Sequence, residues 1–340
     1  MNRQRRDFDV GIVGAGPAGT AAAIRCCQAG LRVLITEREL FPRDRPGEFL
    51  HPGIEPILES LGLGDELSSL TRFRNAGYWL FSRNASNFIR FGSDSTGPWR
   101  GFHIWRADLD RLLLQKATEA GAVLWQPCRA HRPILENNKV IGISTENGNI
   151  STSFLIDACG SCHWLARHLN LPIVQKSPRL MVAYGYAKTP SLPKLDDPVL
   201  WMGTRTWRWE ARVKHDLYHW CSLIQPSITV AESFPCPVIT SAACSEARRV
   251  DMTWRVVSES SGPGYLIAGD AAAVMDPLSS HGVLRALMSG IYAAHAIISS
   301  VKHGNSISYQ NEYTSWLTNW FHADRFALNR TYLQLAFGFQ

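Results

Sequence analysis

The sequence predicts an α/β protein with a strand–glycine turn–helix nucleotide lobe, an antiparallel β-sheet lobe and helices at its C-terminal end. Three observations predict it. Residues 11–19 read GIVGAGPAG, an apolar strand running through a glycine turn into an Ala-rich helix. Residues 264–277 read GYLIAGDAAAVMDP, a second apolar strand ending in Gly-Asp, small residues and Asp-Pro. Between them lie alternating apolar and polar stretches broken by polar turns, the pattern of half-buried strands.

The first element justifies itself residue by residue. Phe8 to Val13 is strand-like, and Gly14, Gly16 and Gly19 carry the GxGxxG spacing. Gly14 permits the tight turn, Gly16 lets the backbone approach a pyrophosphate, and Gly19 lets the next helix pack close to the strand. Pro17 and Ala18 open that helix, expected to run to Ala29, with its N–H groups and positive dipole end toward the phosphates. A second strand, Arg32 to Thr36, ends at Glu37, whose carboxylate can accept hydrogen bonds from a ribose diol. Arg38 follows it, placed to lie over an adenine or near a phosphate.

The next anchors come in order. GEFLHPGIEPILESLGLGDEL occupies 47–67, and HIWRADLDRLLL begins at His103. Asp108 is the expected N-cap of a helix with Leu109, Leu112 and Leu113 on one face, ending near Gly121. From Val123 to Ile156 the pattern reads as a β-meander leading into FLIDACG at 154–160. Strands are expected at Leu180–Ala187, Thr206–Val213 and Leu217–Ile224, and residues 73–91 are expected to add strands to the same sheet. GDAAAVMDPLSSHGVLRALMSG starts at Gly269, with a helix from Gly282 to about Ser299. Beyond 306, aromatic residues at helical spacing predict one or two closing helices.

Taken together, these motifs resemble the FAD cradle of the flavoprotein hydroxylases and halogenases. The resemblance implies FAD as cofactor and a Rossmann-type FAD-binding lobe (glutathione-reductase-like, hydroxylase-type) with a β-sheet substrate lobe. It assigns residues 1–72, 100–171 and 255–305 to the FAD domain, 73–99 and 172–254 to the substrate-side sheet, and 306–340 to a helical segment. It further implies that Arg106 approaches the pyrophosphate and that Asp270, after Gly269, holds a ribityl hydroxyl. Asp276 and Pro277 would turn the chain beside the ring. Gly282 and Val283 would begin a helix aimed at the flavin N1–O2 edge, where a positive dipole end favours the reduced, anionic flavin. Glu48, Asp157 and Gly160 complete the expected cofactor set.

Within this group, halogenases acting on tryptophan carry Trp-x-Trp-x-Ile-Pro, a catalytic Lys and a catalytic Glu. Here the corresponding stretch is WRWEAR (207–212), the Lys slot holds Arg74 and the Glu slot holds Ser279. An arginine differs from an ammonium in shape and is always charged, so halogenation is the disfavoured alternative. The 47–67 segment and the Tyr/Trp-rich tail resemble the flavoproteins that mature tryptophylquinone amino-acid oxidases. That resemblance implies oxidation of a Trp side chain in a precursor protein partner, with His51 and His281 as candidate proton donors or acceptors. The reductant is left open between NAD(P)H and a separate reductase. A small-molecule aromatic hydroxylase and a non-catalytic FAD- or NAD-binding module are the other readings.

Composition agrees with an enzyme. The 340 residues are 45% hydrophobic and 19% charged, enough for a sizeable core. The net charge of +6 comes from 28 Arg and 7 Lys against 29 acids, without a basic block beyond the first six residues, so nucleic acid is not an expected partner. No apolar stretch was expected to reach the roughly 18 residues of a membrane span, and a cytoplasmic protein is expected. No metal is expected. The eight cysteines do not form a disulfide framework. CGSCH (159–163) matches a c-type haem attachment pattern but lies inside the FLIDACG element, with Cys159 in the usual Ser slot. A redox dithiol and two small reduced residues both remain open there.

Overall fold

The computed structural model describes residues 6–43, 45–82, 85–188, 197–203, 206–224, 243–244 and 246–334. The basic start of the chain and the end of the predicted C-terminal segment lie outside the described residues.

Strand Phe8–Val13 forms as expected and sits in the middle of a parallel sheet. The parallel order runs Val123–Trp125, Val33–Thr36, Phe8–Val13, Gly148–Asp157 and Tyr265–Ile267. Strands buried on both faces read as continuous apolar runs, and Val10, Ile12, Leu34 and Ile35 are all fully buried. The Gly148–Asp157 strand is long enough to serve two pairings. Its first half closes an antiparallel set with Lys139–Thr145 and Ala130–Glu136, and its second half lies beside Phe8–Val13. The predicted meander therefore begins at Ala130. Val123–Trp125 leaves it and pairs parallel with Val33–Thr36, because it follows a helix crossing back over the sheet.

That helix is Arg106–Glu119, and its N-cap is Trp105 rather than Asp108. The Arg106 side chain bonds Asp110 one turn on, which lets the helix start three residues earlier. Asp108 then falls in the first turn, where its charge still complements the dipole.

The glycine-turn helix Pro17–Gln28 is pressed between the sheet and the long helix Gly282–His303. The approach is backbone to backbone. A Cβ on Gly290 would lie 2.1 Å from the Ala18 carbonyl oxygen, and one on Gly19 would lie 2.0 Å from the Gly14 carbonyl oxygen. The Gly282–His303 helix has a mean hydropathy of 1.3 in its most apolar window and is long and apolar enough to cross a membrane. No apolar stretch of that length was expected from the sequence, where Arg285 stands within the otherwise apolar run. The helix packs on Pro17–Gln28 with Leu287, Ala293, Ala294 and Ile297 buried, which makes it a core helix of the fold.

The second large sheet runs Ser86–Arg90, Gly77–Phe81, Val199–Met202, Trp207–Lys214, Leu217–Ile224 and Met181–Lys188, and then Arg248–Asp251 and Ala243–Cys244 pair with the last of these. All pairings are antiparallel except Val199–Met202 with Gly77–Phe81. Thr71–Asn75 stays outside it. That strand joins Phe49–Leu50 and Gly101–Ile104 in a small three-stranded sheet that packs against Trp207–Lys214. The closing segment is one helix, Ser306–Gln334.

Candidate active site

The glycine turn is built as its spacing requires. Gly14 has φ +101°, and a Cβ there would strike the Ala158 carbonyl oxygen at 2.6 Å. Gly16 differs. Its φ is −75°, and a Cβ would meet only the Arg43 guanidinium, at 3.3 Å. The fold thus leaves Gly16 open on the side a phosphate would use. Glu37 is buried beneath the turn. One carboxylate oxygen accepts from the Ala15 N–H (2.8 Å) and Arg43 (3.1 Å), the other from the Glu39 N–H (2.9 Å).

Arg43 is the cation nearest Gly16. It is held by Glu37 and Asp110 and lies over the Phe41 ring. Nothing in its loop sequence marked it. Arg106, expected at the pyrophosphate, is instead committed to Asp110 (2.7 Å) and the Pro46 carbonyl (2.8 Å). Its guanidinium lies against Gly47, which also faces Val283. Arg38 is exposed and pairs with Glu39 at 3.4 Å. Glu48 is turned inward. It accepts from the Gly47 N–H and from the Tyr186 hydroxyl of the large antiparallel sheet, with His219 Nε2 3.5 Å away. Its carboxylate therefore ties the Gly47–Leu50 segment to the large antiparallel sheet, a role that could not be read without knowing that Tyr186 lies opposite.

Asp157 is also an internal brace. It accepts from the Cys159 N–H and thiol on one oxygen and from the Leu165 N–H on the other. Gly160 has φ +78° with open space beside it. Gly269 has φ +63°, and its N–H donates to Ser289 Oγ. Asp270 contrasts with these acids. It is exposed, makes no hydrogen bond or ion pair among the described residues, and feels Arg285, Arg106 and Arg255. The surrounding protein raises its pKa and the three cations work against the rise. The hollow beside it is lined by Arg285, Ser289, Trp316, Trp320 and Phe321.

Both catalytic candidates come together. His51 and His281 sit edge to face with centroids 5.3 Å apart, although one precedes a short turn after strand Phe49–Leu50 and the other precedes the core helix. His51 Nδ1 accepts from the Gly53 N–H at 3.1 Å, so its neutral ring carries its proton on Nε2. Burial lowers its pKa, and the neighbouring His281 adds to that. His281 Nδ1 faces Asp324 at 3.4 Å, and Arg285 shares that carboxylate at 3.5 Å. Beside His51 stands a wall of half-buried rings. Phe91 lies 6.4 Å from His51, Phe49 and Tyr78 lie 5.6 and 6.0 Å from Phe91, and Trp209 lies 5.2 Å from Phe49. These rings arrive from separate stretches of the chain, and single-sequence periodicity gave no sign that they would meet.

Asp276 is fully buried, and its carboxylate is spent inside the protein. It accepts from the Leu278 N–H and from Tyr332, whose oxygen accepts from Trp207 Nε1 at 2.8 Å. Burial pushes the carboxyl up to about 6 against the pull of those bonds. Asp276 thus anchors the C-terminal helix, while Pro277 starts the turn that delivers His281. Gly282 opens the core helix with no side-chain cap and open space beside it. Val283 is buried against Gly47. In the former halogenase slots, Arg74 is exposed, paired with Glu55 at 2.8 Å and laid over Phe102, and Ser279 donates to the Asp276 carbonyl.

The residues present fit a flavin dinucleotide on two counts: the open face of Gly16, and the free Asp270 carboxylate beside an uncapped helix start.

Residues 9–42 match the family model described as FAD dependent oxidoreductase. The chain is 24% identical over 328 residues to the tryptophan 2-halogenase of Chondromyces crocatus, covering 85% of this chain and 61% of that protein. It is 25% identical to the 1H-pyrrole-2-carbonyl-[peptidyl-carrier protein] chlorinase of Pseudomonas fluorescens, covering 93% and 82%. Among solved structures, the flavin-dependent halogenase CmlS superposes with a TM-score of 0.88 at 23% identity, covering 99% of this chain and 66% of that one. The flavin-dependent brominase Bmp2 superposes with a TM-score of 0.86 at 22% identity, covering 97% and 89%. These relatives support the flavin fold and not the expected link to tryptophylquinone maturation. The glycine-turn segment thus matches an FAD dependent oxidoreductase model, and the chain as a whole shares the fold of flavin-dependent halogenases.

Proposed function

We propose that the chain oxidises an electron-rich aromatic ring held between the His51–His281 pair and the Phe49, Tyr78, Phe91 and Trp209 wall. FAD would lie along Gly14–Gly19 and Asp270, and when bound it supplies the oxygen-dependent redox chemistry. The observation that carries the reading is the aromatic wall beside paired imidazoles. Rings prefer edge or offset contact with other rings, and that wall offers such contacts next to groups that handle protons.

The two histidines divide the work. His51 presents its Nε2–H as a donor, because Nδ1 is taken by Gly53. His281 directs Nδ1 toward Asp324, which leaves Nε2 as the acceptor for a proton leaving the ring. Arg285 holds Asp324 in place. Among the two outcomes open to such a site, similarity to halogenases across most of the chain supports halogen transfer. A second reading is oxygen transfer, including transfer to a Trp side chain of a precursor protein. What favours it is Arg74, drawn off to Glu55, and Ser279, drawn off to the Asp276 backbone.

One experiment separates them. The FAD-loaded protein is supplied with a flavin reductase, NADH, oxygen and bromide, and offered free tryptophan, a carrier-tethered pyrrole or a Trp-bearing precursor protein. Brominated product by mass spectrometry supports halogen transfer, and product with added oxygen and no bromine supports the second reading. Reductant consumption with no change in any aromatic substrate contradicts both.

A further inference from the structure

We propose that Cys159 and Cys162 form a thiol–disulfide exchange site, with Cys162 as the attacking thiol and a low-molecular-weight or protein disulfide as its substrate. Three features of the structure point to it. The Cys-Gly-Ser-Cys spacing brings the two sulfurs to 3.5 Å. Cys162 is exposed, whereas Cys159 is partly covered and Cys26, Cys128 and Cys221 are buried. The Asp157 carboxylate lies 2.6 Å from the Cys159 sulfur and accepts its proton bond.

The environment divides the thiols unequally. The hydrogen bond between the two sulfurs lowers the Cys162 pKa to about 7, and the Trp164 N–H and the positive charge of Arg38 add to its effect. A thiol that titrates near the ambient pH combines thiolate population with nucleophilicity. Cys159 is held well above its ordinary value by its bond with Cys162 and by burial, so it keeps its proton until the second step. Burial also raises the pKa of Asp157, which suits a buried carboxylate to receive that proton.

The exchange balances without any other reactant. The Cys162 thiolate attacks one sulfur of the substrate disulfide, forming a mixed disulfide and expelling one substrate thiolate. Cys159 gives its proton to Asp157 and attacks the Cys162 sulfur. The second substrate thiolate leaves and the Cys159–Cys162 disulfide remains. Two electrons pass from the protein dithiol to the substrate disulfide, and the two expelled thiolates take up the protons. The site adjoins the nucleotide cradle, since a Cβ on Gly14 would lie 2.9 Å from the Cys159 Cα. It is nonetheless separate from the His51–His281 pair and independent of which aromatic substrate is oxidised.

The test uses the FAD-loaded protein equilibrated with glutathione disulfide, then alkylated and mapped by peptide mass spectrometry. Wild type should lose two hydrogens across the 159–162 peptide. Cys159→Ser, which restores the residue expected in that slot, should accumulate glutathione on Cys162. Cys162→Ser should carry none on Cys159. With reduced protein at pH 7, Cys162 should alkylate at least about tenfold faster than Cys27, whose thiol is pushed up to about 11. Retained FAD absorbance shows that each variant is folded. A 159–162 peptide that stays fully reduced under glutathione disulfide, or glutathione that fails to collect on Cys162 in Cys159→Ser, overturns the proposal.

Discussion

Around Gly14 the chain is positioned by backbone pressed on backbone. Around His51 and His281 it is positioned by side chains reaching across from separate elements. The first arrangement tolerates no added atom at Gly14, Gly19 or Gly290. The second depends on a relay of polar contacts: Asp276 to Tyr332 to Trp207, His281 to Asp324 to Arg285. The difference teaches where each region is fragile. The cradle fails by steric exclusion, and the reactive face fails by loss of charge or proton balance.

The largest effect should come from Gly19→Val. A branched side chain begins 2.0 Å from the Gly14 carbonyl oxygen, so overpacking should cost about 3 kcal/mol or more and a thermal melt should show the loss. A wild-type Tm in that variant would mean that the turn is looser than the contact implies.

Next comes Asp276, at the other region's anchor. Its folded pKa of about 6 lies above the ordinary 3.8. Below pH 4 both states are protonated. Between about pH 4 and 6 the unfolded chain ionises while the folded one keeps its proton, so stability falls as pH rises, by about 3 kcal/mol in all. Asp276→Asn should flatten that decline in denaturant titrations. An equally steep decline in the variant would assign it to another group.

His281→Ala should lower turnover of the aromatic substrate about 100-fold with FAD binding unchanged. It should also raise the His51 pKa, because a like charge is removed, which an imidazole NMR titration reads. Asp270→Ala is the smallest. It should weaken FAD about tenfold, the worth of a charge-assisted hydrogen bond, without moving Tm, because that carboxylate makes no bond within the described protein. A drop in Tm would show that it braces the fold instead.

The same contrast explains what could be read in advance. GIVGAGPAG and GDAAAVMDP were legible because close backbone approach admits few residue types, and the glycine spacing writes that constraint into the chain. The strands at Phe8–Val13 and Leu217–Ile224 followed from apolar pattern alone. Arg43 was not legible, since any loop can supply a guanidinium, and the bond from Arg106 to Asp110, one helical turn away, was passed over. Glu48 and Asp276 were expected to face the cofactor. Their inward bonds to Tyr186 and Tyr332 depend on partners more than fifty residues away, which only the assembled fold reveals.

The most direct test of the cradle is Gly16→Val. The structure leaves a Cβ at Gly16 in contact only with the flexible end of Arg43, so the variant should fold with a Tm close to wild type. Its side chain would occupy the space the pyrophosphate needs. Wild type should hold one FAD per chain by absorbance after desalting, and Gly16→Val should hold essentially none. A folded Gly16→Val protein with wild-type FAD occupancy would contradict the placement of the cofactor on the Gly14–Gly19 turn.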